Sequence, residues 1–402
     1  MGGGLLDLVA KGGQDIYFIC NPEISFFKKV YKRHTNFSME QEKFLFDGDI
    51  TFGRKAKFTI PRHGDLLKNM FLQFELPNLS TNQKYVNYIG YALIDYIEIS
   101  IGGTVIDRQT GEWLYINNEL SVKSGSKEGY RRMVGGNDNF KLYQLSTGNT
   151  GGTFIVPLNF WFSKDIGLAL PLVALQYHEV EITLSLRKFS ELWVTKTGVA
   201  PTEPKLTNCF ISLEYVYLDS KERKLFSQSN HEYLIKQVQY SEKNTIIANQ
   251  SIKKIPLNFN HPILELIFVV QRNNAFTTGE NSGNDYFYFS KSINPNETIK
   301  TAQILLNNQD RTPLMTSKEL RYLNVINSHT SIPYNNFIYL YSFSLNPESF
   351  QPSGSCNFSR FDNKELAIEF ATGITASDVK VFAVNYNILR ISMGMAGLAY
   401  IN

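Results

Sequence analysis

The sequence predicts an all-β protein made of two tandem β-sandwiches. Aromatic residues that fit a pleated, half-buried surface are abundant, with 29 Phe and 22 Tyr among 402 residues. Apolar or alternating stretches of strand length recur with turn residues between them, while helical periods are few and short. The chain also repeats itself. Ile94–Gly103 (IDYIEISIGG) aligns with Ile299–Asn308 (IKTAQILLNN) at an offset of 205, and Asp-Arg follows each, at Asp107-Arg108 and Asp310-Arg311. Upstream, Leu66–Gln73 (LLKNMFLQ) resembles Ile263–Val270 (ILELIFVV) at a similar offset, after Ile60-Pro61 and Ile255-Pro256. Two matches in the same order predict two copies of one fold.

Taken in order, residues 1–23 hold Leu5, Leu6, Leu8 and Val9 without a sandwich period, and Asn21-Pro22 favours a turn. They are expected to form an N-terminal arm outside the first sandwich, against a neighbouring protomer or the underside of an assembly. The first sandwich is expected over 24–218, with strands at Ala56–Ile60, Tyr96–Ile101, Val180–Leu186 and Phe210–Leu218. Within it, Gly111–Val122 places Trp113, Ile116 and Leu120 three and four apart, which predicts one helix in a connection. The polar stretch 219–230 (DSKERKLFSQSN) reads as a linker. The second sandwich, 231–402, has strand signals at Leu264–Val270, Phe337–Leu345, Leu366–Phe370 and Val379–Leu389. Gly102-Gly103, Asn307-Asn308 and Asn346-Pro347 punctuate the strands. The polar segments Ser121–Gly152 and Gln271–Asp285 are expected to be exposed loops at one end of a sandwich. Thr195–Pro204, with two prolines, is expected to join two strands.

Bulk properties exclude several classes. Net charge is only +3, from 40 basic and 37 acidic side chains, so the basic excess of a nucleic-acid-binding protein is missing. One cluster, Lys28, Lys29, Lys32 and Arg33, reads first as a solvated or subunit-facing charge group, with anionic lipid or DNA as the alternative. Cys20, Cys209 and Cys356 are odd in number and far apart, which indicates neither a disulfide framework nor a zinc site and suits a reducing compartment. The N-terminus lacks the basic start of a secretory signal. Gly2 meets Leu6 where myristoylation wants Ser or Thr. The apolar run Ile263–Val270 is broken by Glu265 and too short to span a bilayer, so a soluble protein is expected.

Motifs for catalysis are missing. The six histidines, His34, His63, His178, His231, His261 and His329, form no HExxH or HxH pair. His178-Glu179 and His231-Glu232 are strand neighbours that point to opposite faces, so structural roles are expected. No GxSxG elbow, Walker A loop or dinucleotide fingerprint occurs. The glycine-rich GGNDN and GNTGG read as flexible loops, and Asp47/Asp49 and Glu40/Glu42 as surface pairs. Sequons at Asn36, Asn78, Asn249, Asn296 and Asn357 are weak glycosylation signals. No catalytic, cofactor-binding or metal-ligating residue is assigned, and an enzyme is not expected.

Four segments spread over nearly the whole chain carry a family resemblance. Gly12–Glu40 (GGQDIYFICNPEISFFKKVYKRHTNFSME) resembles the opening of the major capsid proteins of nucleocytoplasmic large DNA viruses. Asn159–Ile182 (NFWFSKDIGLALPLVALQYHEVEI), Tyr341–Asn363 (YSFSLNPESFQPSGSCNFSRFDN) and Asn385–Tyr400 (NYNILRISMGMAGLAY) are similar to that family's internal, second-domain and closing segments. The resemblance implies a double jelly roll, two eight-stranded sandwiches in tandem. It further implies a homotrimer with a pseudo-hexagonal outline that tiles an icosahedral virion shell, beside minor capsid and penton proteins and above an internal membrane, with assembly in host cytoplasm. No sequence-specific nucleic-acid contact is implied. A double jelly-roll scaffold or minor shell component is the alternative, and a carbohydrate-binding sandwich or hydrolase the third class. Within the motifs, Pro171 suits a strand start or edge. Phe358, Arg360 and Phe361 are placed to anchor the turn-rich connection Asn346–Arg360 against a core or a neighbour.

Overall fold

The computed structural model describes residues 2–136, 151–241, 243–275, 280–291, 296–333 and 336–401. The chain divides into two compact units, Met1–Asn36 and Phe37–Asn402. The first contains two one- to two-turn helices, Gly3–Val9 and Gly13–Ile19.

In the second unit, sixteen of the twenty-four strands among the described residues form the main sheets of two sandwiches, and the other eight are additions of two to five residues. The first eight are β1 (Phe37–Leu45), β2 (Lys55–Thr59), β3 (Leu66–Leu76), β4 (Ile94–Ile101), β5 (Thr104–Thr110), β6 (Gly152–Pro157), β7 (Val180–Leu186) and β8 (Thr207–Leu218). They pair as two antiparallel sheets in the orders β1-β8-β3-β6 and β2-β7-β4-β5. The second eight are β9 (His231–Tyr240), β10 (Ile252–Pro256), β11 (Pro262–Arg272), β12 (Ile299–Leu306), β13 (Gln309–Asp310), β14 (Tyr339–Ser342), β15 (Lys364–Phe370) and β16 (Ser377–Ser392). Their sheets run β9-β16-β11-β14 and β10-β15-β12-β13. Adding eight to every strand of the first pair of sheets gives the second pair, so one jelly-roll winding occurs twice.

The internal repeat is real in the fold: its two matched pairs are β3 with β11 and β4 with β12. Strand burial follows the two-residue period where one face meets solvent, as in β2, where only Ala56 and Phe58 are buried. β11 and β16 are instead buried on both faces over most of their length. The helix Gly111–Ser121, expected from its spacing, lies against that second face, with Trp113 and Phe382 ring centroids 5.7 Å apart. Most buried apolar residues of both sandwiches form one continuous core, with Leu66, Ala169 and Val216 in a small separate cluster.

Several expectations need correcting. The first sandwich strand begins at Phe37 and not near Ile24. Residues 24–36 pair like with like (Phe26-Phe27, Lys28-Lys29) and offer a sheet no alternation of faces. The supposed loop Ser121–Gly152 contains a helix, Lys127–Val134, closed by Gly135 in the left-handed region at φ 75°. Residues 137–150 of that segment, which include most of both glycine-rich runs, lie outside the described residues. Nor is Gln271–Asp285 simply an exposed loop, although 276–279 are likewise outside. Gln271 and Arg272 end β11 with 3% and 7% exposure. Glu280–Gly283 then adds a strand beside Trp193–Thr197 of the first sandwich, whose backbone supplies the ordering hydrogen bonds. Thr195–Pro204 does run between two strands, Trp193–Thr197 and β8. The polar stretch after β8 is a helix, Ser220–Gln228.

Gly111 occupies the first turn of its helix, behind Thr110, whose hydroxyl accepts the Trp113 N–H at 3.2 Å. An added Cβ there would collide with the backbone carbonyls of Tyr91 and Ile94, which cannot swing aside as a side chain would. Gly111→Ala should therefore lower unfolding stability by about 1–3 kcal/mol, measured by denaturant titration. A loss within a few tenths would mean that the helix start yields without strain.

Candidate functional site

No cluster of three or more metal-ligating side chains occurs among the described residues. What the fold builds instead is a polar seam between the sandwiches. β5 and β9 are edge strands of their sheets, and the two edges meet. Asp107 on β5 accepts the Val238 N–H of β9 at 3.1 Å, and the Gln109 amide at 2.8 Å. Burial pushes the Asp107 carboxyl up to about 6, with those hydrogen bonds opposing it. Gln237 of β9 also donates to the Ile106 carbonyl.

Beside this edge contact lies an ionic triad. Glu112 is 6% exposed and holds Arg187 at 2.9 Å through one oxygen and Lys380 of β16 at 2.9 Å through the other. Burial alone would raise the Glu112 carboxyl, but the two cations outweigh it and hold the group well below the carboxylate range. Arg187 also donates to the Ala92 carbonyl at 3.0 Å and lies 4.4 Å from the centre of the Tyr286 ring. Next to Tyr286, Phe287 of the second sandwich stacks on Tyr115 of the first at 4.4 Å. The triad thus joins three segments that are remote in sequence and ties one sandwich to the other.

A second buried pairing lies within the second sandwich. His329, at the end of helix Asn324–Ser328, places Nε2 2.7 Å from Glu265 on β11 and Nδ1 3.0 Å from Glu348. Burial disfavours the imidazolium, yet the two carboxylates prevail and raise its pKa to about 9. Glu265, the charge that interrupts the apolar run, is therefore the signal that a cation waits opposite.

The other histidines make local contacts. His63 reaches Glu42 at 2.6 Å, His231 the Phe226 carbonyl at 2.7 Å, and His178 the backbone of Ala396 at 3.1 Å. The Ser359 hydroxyl accepts the His261 N–H at 2.8 Å, and His34 contacts the Thr35 carbonyl. The cysteines are unpaired, and burial pushes the Cys209 thiol up to about 12. Phe358 is fully buried against Phe343, and Pro171 pairs with Leu66 in a two-residue strand at the margin of its sheet. All five sequon asparagines are exposed.

The N-terminal unit has the opposite character. Every described residue in it is exposed, and Val9, Tyr17, Phe18, Phe26, Phe27, Val30 and Tyr31 are each at least 82% so. Apolar exposure on that scale marks an interaction surface. The cluster Lys28, Lys29, Lys32 and Arg33 lies within the same stretch.

Residues 25–219 match the family described as major capsid protein N-terminus, and residues 222–397 the large eukaryotic DNA virus major capsid protein. The chain is 38% identical to the major capsid protein of Pyramimonas orientalis virus, with all of both chains covered. It is 33% identical to that of Paramecium bursaria Chlorella virus 1, again over the whole of both. Among solved structures it is similar to PBCV-1 VP54 as fitted into a reconstruction of the virophage Sputnik. The TM-score there is 0.80 at 31% identity, covering 94% of this chain and 100% of that one. The Faustovirus major capsid protein shares the fold at TM-score 0.78 and 13% identity, over 95% and 94% of the two chains.

Proposed function

This chain belongs to the large eukaryotic DNA virus major capsid proteins, structural components of the virion and not enzymes, and on that premise we propose that it builds the shell as a homotrimer. The observation that carries this reading is the strand order repeating with a shift of eight. Three copies of a chain with two like sandwiches present six like sandwiches around one axis. That pseudo-hexagonal outline tiles a flat facet of an icosahedral shell. The working units, expected over 24–218 and 231–402 with 219–230 joining them and 1–23 as an arm, then have the first sandwich from Phe37 and residues 24–36 continuing the arm. The end of β8 at Leu218 and the start of β9 at His231 support those limits.

A permanent trimer calls for an interface of roughly 2,000–5,000 Å². The exposed apolar side chains of the arm support a role between protomers or beneath the shell, where minor capsid proteins, penton proteins and an internal membrane are the further partners. Three free thiols suit assembly in host cytoplasm.

Light scattering on the purified chain should give three times the 45.9 kDa protomer mass at micromolar concentration. A monomer at every concentration would overturn the trimer. Deleting residues 2–20 should leave folded trimers that fail to form normal particles, and normal particles would remove the arm from assembly. Quantifying the chain in purified virions separates a major shell protein from a scaffold.

A further inference from the structure

Between the sandwiches, apart from the triad, lies a cavity of about 70 Å³ whose lining includes Trp161, Lys164, Lys236, Glu348, Phe350 and Tyr386. Its walls come from the β6–β7 connection, from β9 and β16, and from the segment around Glu348. The lining is rich in donors, two of them buried and without an acceptor among the described residues. Trp161 is 2% exposed and Tyr386 8%, and among the described residues neither the indole N–H nor the Tyr386 hydroxyl, which faces the Ser353 backbone N–H, finds an acceptor. Lys236 donates to the Pro347 and Ser349 carbonyls at 2.6 and 2.7 Å and keeps a third proton. Lys164 is exposed as a whole and reaches the lining with no hydrogen-bonded protein partner among the described residues. The acidic lining groups are turned to other partners: Glu348 accepts from His329 and Thr330, and Asp165 from the Gly167 N–H.

Buried donors are almost always satisfied, so an acceptor belongs here. A water molecule takes about 30 Å³, so the space suits about two waters or one small anion. A water accepts from these donors but must also place its own two hydrogens, for which Asp165, bonded through Oδ1 alone, is the least engaged acceptor of the lining. An anion accepts without that demand, and its bonds to cations are the stronger kind. The carboxylates of Asp165 and Glu348 in the wall favour a single negative charge over two.

We propose that this cavity binds one carboxylate group between the two sandwiches. The carboxylate comes either from a free small acid or from a neighbouring polypeptide in the assembled shell, and only the second source depends on the capsid reading. Burial and the nearby Lys164 hold Lys236 down at about 8, so the arriving charge should raise it and draw in a proton near that pH.

The test is calorimetric titration of the purified chain with sodium acetate, and separately with phosphate, in buffers of different ionisation heat at pH 8. Acetate should bind saturably with proton uptake, and better than phosphate. Tyr386→Phe and Lys164→Gln should each weaken it about tenfold while leaving the melting temperature near wild type. If acetate does not bind, the neighbour is the source only where both variants fold yet fail to assemble and a particle reconstruction places a carboxylate of another chain in the cavity. Every other result, including water alone in the cavity of assembled particles, overturns the proposal.

Discussion

Replacing Glu112 with alanine should cost about 3–5 kcal/mol of unfolding free energy, the usual effect of leaving buried charge uncompensated. Glu112 is the shared partner of Arg187 and Lys380, at 2.9 Å each. Arg187 retains the Ala92 carbonyl and the Tyr286 ring, so the heavier loss falls on Lys380. Desolvating an ammonium without a counter-charge is the expensive step. Replacing all three members together, as Glu112→Leu, Arg187→Met and Lys380→Met, removes the charges along with their desolvation. That variant should recover most of the loss.

The pH dependence has a definite sign. The Glu112 carboxyl is held below its ordinary value of 4.5, so its stabilisation is complete above that value and fades as pH falls below it. Glu112→Ala should therefore differ most from wild type near neutrality and approach it in acid. Denaturant midpoints across pH measure this, and a neutral-pH loss under about 1 kcal/mol would show that the triad contributes little to holding the sandwiches together.

How much of this was legible in the sequence divides along physical lines. The winding was, because β3/β11 and β4/β12 preserve pattern and order, and pattern is a local property. The helix Gly111–Ser121 was legible for the same reason, through Trp113, Ile116 and Leu120. The seam was not. Lys380 lies 268 residues from Glu112, and neither has a sequence neighbour that advertises the other. Phe287 on Tyr115 is hidden in the same way, since an aromatic residue beside a polar segment looks like loop until its distant partner is known. The beginning of β1 at Phe37 escaped because residues 24–36 are as apolar as a strand yet lack its alternation. Glu265 lies between these cases: its charge inside an apolar run was visible, but its partner His329 was not.

That partner provides the second large effect. His329→Leu should cost about 3–5 kcal/mol at pH 6.5, because Glu265 is 5% exposed and would lose the cation that justifies its burial. In wild type the imidazole titrates at about 9 against an ordinary 6.5, so its contribution is complete below 6.5 and is lost as pH climbs towards 9. Integrated over that interval the loss is about 3 kcal/mol.

Neighbouring Lys236 acts in the opposite direction. It titrates at about 8 in the fold against an ordinary 10.5, which adds stability as pH rises from 8 to 10.5. The two overlap between 8 and 9, leaving 6.5 to 8 as the interval in which Lys236 does not oppose His329. Wild-type stability should fall more steeply across that interval than that of His329→Leu, which keeps the smaller fall from Asp285, pushed up to about 7 by burial. Parallel profiles would mean that Glu265 and Glu348 do not hold a proton on the imidazole, and that the charge inside the apolar strand is balanced by something else.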